Sequence, residues 1–222
     1  MARASVMAKP NGRESAPLPG VRPAWGRFAR PMPGGLPRLW LFSDPVRLPD
    51  PRLAMAGLPR GAGVVARGLA PGLLGPVARL ARQRGLKLLV AGDGRAALAL
   101  GAGLHLPDRR PSAGLMPFLL ARRAGPGDLI LAMAAHGGQR SAARARRLGV
   151  DCLFLSPLFS TQSHPGAPAL GPLRWTSLAR GLPAPCMALG GITSSRLGAV
   201  PRRAAGVAAI GGLAPPVARL PQ

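Results

Sequence analysis

The sequence predicts an α/β fold of the (β/α)₈ class, a TIM barrel, preceded by a short N-terminal extension. Three observations support this prediction: eight short apolar runs recur along the chain, helix-length segments separate them, and 222 residues suit one such domain. The runs are continuous rather than alternating in polarity, which is typical of parallel strands buried on both faces. An open, doubly wound sheet is the alternative architecture for the same succession of elements.

The predicted strands begin at Leu39 and recur to the end of the chain. They are LWLFS (39–43), GVVAR (63–67), KLLVAG (87–92), GLHL (103–106), LILAMAA (129–135), VDCLFLS (150–156), PCMALGG (185–191) and VAAIGG (207–212).

The segments between the predicted strands carry helix signals. The segment 73–85 ends in a Gly suited to a C-cap, 140–149 has apolar residues at helical spacing, and 193–206 begins with hydroxyl N-cap candidates. The first crossover, 48–58, is Pro-rich and weakly helical, and the helix that closes the barrel after the eighth strand is short.

Residues 1–36 have no hydrophobic period, are rich in Pro and Gly, and carry six basic residues against one Glu. This composition predicts a disordered basic extension over 1–36, followed by the barrel domain over 37–222. A targeting peptide is the alternative interpretation of the extension.

The formal net charge is +23, and almost all of the basic residues are Arg. They are scattered rather than arranged in a stripe, and the chain has no Tyr, five Phe and three Trp, so platforms for stacking bases are scarce. We therefore predict no nucleic-acid partner. A positive field of this kind would instead attract small phosphorylated metabolites.

Two cysteines, Cys152 and Cys186, lie within predicted strands, which favours buried thiols over a disulfide or a metal pair. No apolar run reaches the length of a membrane span and the first residues lack a signal-peptide core, so we predict a cytoplasmic protein without a membrane partner.

Carboxylates follow several of the predicted strands. Asp44, Asp93 and Asp108 come directly after strands one, three and four. In a parallel barrel these positions share one rim, where carboxylates could hold a hard divalent cation. Asp is also favoured in turns and helix caps, and that role remains the alternative.

Glycine pairs follow the last two strands, in ALGGITSS and AIGGL. Backbone N–H groups at such turns bind phosphate, and the loops after strands seven and eight are a frequent phosphate site of barrels. Arg67 closes strand two and could bind a diphosphate.

His105, His136 and His164 lie near the exits of strands four, five and six, where they could reach one pocket.

In order and spacing these motifs resemble those of the thiamine phosphate synthase and thiazole tautomerase superfamily. The resemblance covers residues 39–213 and is carried by LWLFSD, GVVAR, LLVAGD, GLHLPD, GVDCLFLSPLFSTQSHPGAPALGP, ALGGI and GVAAIGG. It implies the (β/α)₈ barrel and a synthase that couples an aminopyrimidine methyl diphosphate to a thiazole phosphate in thiamine biosynthesis, releasing diphosphate. It also implies Mg²⁺ as cofactor and the two phosphorylated substrates as partners, and it leaves a homo-oligomer open.

The resemblance implies a role for each matching residue. Arg67 and His164 would bind the leaving diphosphate, Asp93 and Asp108 would bind Mg²⁺, and His136 corresponds to the acid/base His of the tautomerase branch. The thiazole phosphate would lie against a set of hydroxyls and backbone amides, namely Ser156, Thr161, Ser163, Gly190, Gly191, Ile210 and Gly211.

The chain departs from the superfamily pattern at several positions. His164 stands where the superfamily has Lys, Ala134 stands where it has Ser, and GDGR replaces its Asn-Asp-Arg. Synthase activity is the function that we predict. The alternatives are a thiazole tautomerase that uses His136 and needs no metal, and a non-catalytic protein that binds thiazole phosphate or thiamine phosphate.

Overall fold

The computed structural model describes residues 22–108, 111–125, 129–161 and 168–214, and these residues form a closed barrel of eight parallel strands. Each strand pairs with the next along the chain, and β8 pairs with β1 to close the ring. This confirms the predicted (β/α)₈ barrel over the open sheet. The strands are β1 (Leu39–Phe42), β2 (Gly63–Ala66), β3 (Lys87–Ala91), β4 (Gly103–Leu106), β5 (Leu131–Ala135), β6 (Cys152–Leu155), β7 (Cys186–Leu189) and β8 (Gly206–Ala209).

The helices surround the strands. The α-helices are α1 (Arg22–Trp25), α2 (Arg52–Ala56), α3 (Leu74–Arg84), α4 (Gly94–Ala99), α5 (Leu115–Ala124), α6 (Gln139–Leu148) and α7 (Gly171–Arg180). Shorter 3₁₀ helices cover Gly26–Phe28, Ser194–Ala199 and Gly211–Leu213. Helix α3 ends at Gly85, whose φ of 63° confirms the predicted glycine cap. The helix after β7 is 3₁₀ rather than α, and Pro201, which lacks an N–H donor, follows it closely.

Aromatic rings fill the interior of the barrel. Trp40 and Phe42 from β1 both meet the Phe154 ring edge-on, with centroid distances of 5.3 and 4.8 Å. The Trp40 ring lies directly against Gly63, where a Cβ atom would come within 2.1 Å of a ring carbon. Since the interior is packed, ligands can be bound only at the rims or on the outside.

The described part of the predicted extension is packed, in contrast to the disorder predicted for residues 1–36. Residues 1–21 lie outside the described residues. Trp25 and Phe28 are 3% and 4% exposed, and the Arg38 guanidinium lies 5.7 Å from the centre of the Phe28 ring. Met32 and Leu36 pack against the interior aromatic cluster. The packed domain therefore begins before residue 37.

Both cysteines are buried free thiols, as predicted. Cys152 belongs to the barrel interior and Cys186 to the layer between strands and helices. Burial raises the pKa of the Cys186 thiol to about 11. In the part of the chain that is described, no helix is both long and apolar enough to cross a membrane.

Candidate active site

The candidate site lies at the carboxyl-terminal rim of the barrel. Because all eight strands are parallel and the sheet is closed, the residues that follow each strand meet at one rim. The predicted residues at this rim are Arg67, Asp93, Asp108, His136, Ser156, Thr161, Gly190, Gly191, Ile210 and Gly211. Ser163 and His164 lie outside the described residues, so the predictions for them stay predictions.

Arg67, at the end of β2, is held by the end of β1. Its Nη2 donates to Oδ2 of Asp44 at 2.6 Å, and its backbone N–H donates to Oγ of Ser43 at 2.7 Å. The Ser43 hydroxyl donates in turn to the Arg67 carbonyl at 2.8 Å. Ser43 is fully buried, whereas 41% of the Arg67 side chain is exposed. Arg67 is thus held in place by Ser43 and Asp44, and its side chain still reaches solvent at the rim.

Asp44 stabilises a turn and forms an ion pair with Arg47. A role in a turn is the alternative to metal binding that the sequence left open. Its Oδ1 accepts the backbone N–H groups of Val46 and Arg47, and its Oδ2 accepts Arg47 Nη2 at 3.0 Å. The Arg47 guanidinium, followed by these two amides, holds the pKa of the Asp44 carboxyl well below its usual range. Asp44 therefore remains an anion and a hydrogen-bond acceptor across the physiological range.

Asp93 caps helix α4. Its Oδ1 accepts the backbone N–H groups of Arg95 and Ala96, both at 3.0 Å, which is the usual geometry of an N-cap. The sequence had left open whether this residue is a cap or a metal ligand, and the cap is present.

Asp108 follows β4, and its backbone is fixed by helix α6. Arg144 Nη1 donates to the carbonyls of Pro107 and Asp108 at 3.0 and 2.6 Å. The Asp108 side chain is 17% exposed, and its Oδ2 lies 3.8 Å from Nε2 of His136. The loop therefore presents its carboxylate towards the exit of β5.

Asp93 and Asp108 follow the neighbouring strands β3 and β4 and provide hard oxygen donors, the ligand type that Mg²⁺ prefers. Among the residues that the structure describes, no group of three or more His, Cys, Asp or Glu side chains could hold a metal ion. Mg²⁺ is commonly held by one or two carboxylates together with substrate phosphate oxygens. The donor set fits that shared mode and does not fit a metal cage built from the protein alone.

His136 has a defined tautomer. Its Nδ1 lies 3.0 Å from the carbonyl oxygen of Ser156, and a carbonyl can only accept, so Nδ1 carries the hydrogen. Nε2, the other ring nitrogen, then lies on the side of Asp108. With 48% of the side chain exposed, this imidazole can exchange a proton with a ligand at the rim.

His105 lies beneath the rim rather than on it. Its ring meets Phe42 and Phe154 edge-on at 5.4 and 5.3 Å, and its buried Nδ1 has no hydrogen-bond partner among the residues that the structure describes. Burial, with a smaller effect of the Arg67 charge, lowers the pKa of His105 to about 3. The imidazole is therefore neutral at physiological pH and adds no positive charge to the floor of the site.

The glycine pair after β7 is required by a close crossing of two loops. Gly190 and Gly191 have φ values of 99° and 64°, and Cβ atoms there would lie 2.8 Å from Pro157 Cα and 2.4 Å from the Ser160 carbonyl oxygen. The loop after β6 thus packs directly on this turn. A Cβ built on Gly211, after β8, would meet no atom of the described residues within 4 Å apart from its own chain neighbours.

Several residues that shape the rim were not predicted from the sequence. Ser43 and Arg47 belong to the loop after β1, Arg144 fixes the loop after β4, and Arg196 donates to the Gly191 carbonyl at 3.2 Å. The only local signal was the spacing of Asp44 and Arg47, three residues apart. The contacts of Ser43 with Arg67 and of Arg144 with the loop after β4 join distant parts of the chain, and one sequence carries no signal for them.

The sequence matches the family described as thiamine monophosphate synthase over residues 73–213. It is 35% identical over 102 residues to the Aquifex aeolicus (strain VF5) protein named "Putative thiamine-phosphate synthase 2", a region covering 46% of this chain and 51% of that protein. The chain thus aligns with about half the length of this relative.

Among solved structures, the fold resembles that of a thiamine phosphate pyrophosphorylase from Pyrococcus furiosus. The TM-score is 0.59 at 21% identity, and the match covers 78% of this chain and 85% of that one. At this identity the likeness supports the fold alone. The family match extends from α3 to the 3₁₀ helix after β8 and thus includes the rim from β3 onwards. This chain belongs to the thiamine monophosphate synthase family.

Proposed function

We propose that the protein is a thiamine phosphate synthase, which couples an aminopyrimidine methyl diphosphate to a thiazole phosphate and releases diphosphate. The observation that carries the proposal is that two features suited to binding anions lie on one rim. Arg67 is held by Asp44 at the end of β2, and the Gly190–Gly191 turn lies at the end of β7. Family membership favours this pair of substrates.

In the proposed reaction the bond between the pyrimidine methylene carbon and the diphosphate oxygen breaks, and a bond from the thiazole nitrogen to that carbon forms. No proton has to move, so the protein acts mainly by binding, orienting and stabilising charge. Arg67 would bind the departing diphosphate, since its guanidinium is permanently charged and is exposed at the rim. His164 remains the second predicted diphosphate ligand.

Asp93 and Asp108 would hold Mg²⁺ together with the diphosphate oxygens. The ion would supply neutralisation of charge on the leaving group. The thiazole phosphate would lie between the loops after β6, β7 and β8. The predicted contacts there are Ser156, Thr161, Ser163, Gly190, Gly191, Ile210 and Gly211.

A thiazole tautomerase is the second candidate, and the geometry of His136 favours it. The Ser156 carbonyl fixes the proton on Nδ1 and leaves Nε2 as a base. Tautomerisation needs a proton to leave one ring atom and arrive at another, which one imidazole can perform. The cytoplasmic location predicted from the sequence is compatible with either activity.

The test is incubation of the purified full chain with both substrates, with and without Mg²⁺, followed by chromatographic detection of thiamine phosphate. We expect thiamine phosphate and stoichiometric diphosphate only when Mg²⁺ is present. Metal-independent isomerisation of the thiazole substrate, with no coupled product, would refute the synthase and support the tautomerase. Binding of thiazole phosphate without either reaction would support a non-catalytic binding protein.

A further inference from the structure

A second guanidinium lies beside Arg67 at the rim. Arg47 Nη2 is 3.0 Å from Asp44 Oδ2, the same oxygen that accepts from Arg67 Nη2 at 2.6 Å. The two Nη2 atoms can therefore be no more than about 5.6 Å apart. Two like charges are brought together here by one shared carboxylate.

This cluster of Arg47, Asp44 and Arg67 keeps a net positive charge, because it has two guanidinium groups and one carboxylate. The Arg47 and Arg67 side chains are 23% and 41% exposed, so both reach solvent. Within the described residues, the Asp44 carboxylate is the only hydrogen-bond partner of either guanidinium group. Nη1 of both residues is thus left available for an anionic ligand.

The loop that carries Arg47 is closed by its own backbone. The N–H of Asp44 donates to the carbonyl of Leu48 at 3.1 Å, and the N–H of Leu48 donates back at 3.0 Å. The Leu48 side chain is buried, and Asp44 Oδ1 accepts the Arg47 backbone N–H at 3.1 Å. A site already ordered in this way binds its ligand with little loss of conformational entropy.

We infer that Arg47 is a further ligand of the diphosphate group, beside Arg67, and that Asp44 is the positioning residue that keeps Arg47 and Arg67 side by side. A diphosphate has anionic oxygens on two phosphorus atoms, and two adjacent guanidinium groups can each donate to one of them. This inference rests on the proposed function, since it takes the ligand of Arg67 to be the leaving diphosphate.

The experiment is calorimetric titration of the full chain with inorganic diphosphate in Mg²⁺ buffer. We expect R47Q to raise the Kd about tenfold or more, because it removes a charged hydrogen-bond donor, and R47K to give a smaller rise. The matched control is R52Q, which breaks the exposed Arg52–Asp50 ion pair of 2.6 Å, a pair with one guanidinium per carboxylate. R52Q should change the Kd by less than about twofold.

The D44N variant distinguishes a positioning role of Asp44 from a purely electrostatic effect of its negative charge. Removing a negative charge would by itself tighten diphosphate binding, since the net positive charge of the rim increases. If Asp44 positions the two guanidinium groups, D44N weakens binding instead. Circular dichroism and the thermal midpoint show whether each variant remains folded.

The outcomes distinguish failure of the proposed function from failure of the inference about Arg47 and Asp44. If the wild type binds no diphosphate, both the proposed function and this inference are wrong. If the wild type binds diphosphate but R47Q binds equally well, the proposed function stands and Arg47 is only a loop-stabilising residue. If D44N binds as tightly as the wild type or more tightly, Asp44 has no positioning role.

Discussion

Substitution of His105 by Phe should make the folded protein less sensitive to mild acid. His105 is 5% exposed, and its pKa in the folded chain is about 3, against 6.5 for an unperturbed His. Below pH 6.5 the unfolded chain therefore takes up a proton that the folded chain does not, and falling pH favours unfolding. Between pH 7 and pH 5 this single group lowers the free energy of unfolding by about 2 kcal/mol.

The measurement compares urea unfolding of the wild type and of His105→Phe at pH 7, 6 and 5. The difference in free energy of unfolding between the two proteins should shift by about 2 kcal/mol in favour of the variant as the pH falls from 7 to 5. Phe keeps the edge-on contacts with Phe42 and Phe154, and any cost of its larger ring does not depend on pH. A pH-independent difference would refute the argument that His105 is buried and neutral.

The remaining predictions concern the rim. Arg67→Ala should lower coupling activity about 100-fold or more while the barrel stays folded, because in the proposed reaction this guanidinium stabilises the leaving group; unchanged turnover would exclude that role. Gly191→Ala should lower the free energy of unfolding by at least about 1–2 kcal/mol, the cost of a left-handed backbone alone. Its control is Gly198→Ala, where the added Cβ would meet no other described part of the chain within 4 Å, and equal thermal midpoints for the two variants would contradict the prediction. His136→Ala should reduce tautomerisation more than coupling in parallel assays, and equal losses would make His136 structural.

The fold could be predicted because its signals are local. Continuous apolar runs such as LWLF and CLFL form the buried strands β1 and β6, and a closed parallel barrel then places every strand exit on one rim. The rim position of Arg67 follows from its place after β2 alone. The positions of most candidate residues were therefore available from the order of the elements.

The contacts of the site were less accessible to sequence. The closed loop 44–48 brings Arg47 onto the Asp44 carboxylate. It therefore decides whether Asp44 pairs with an arginine or could bind a metal ion. The packing of Trp25 and Phe28 was missed because two isolated aromatic residues among Pro and Gly produce no hydrophobic period. From the sequence, we expected the Gly190–Gly191 pair to approach a ligand closely. The structure gives a second reason for these glycines, because the loop after β6 crosses the turn in direct contact.

The most direct test of the account is the crystal structure of the full chain with diphosphate and thiamine phosphate bound. We predict that both ligands occupy the carboxyl-terminal rim, with diphosphate contacting Arg67 and the phosphate of the product against the Gly190–Gly191 turn. Ligands bound at the opposite rim, or at a distance from both Arg67 and Gly191, would contradict it.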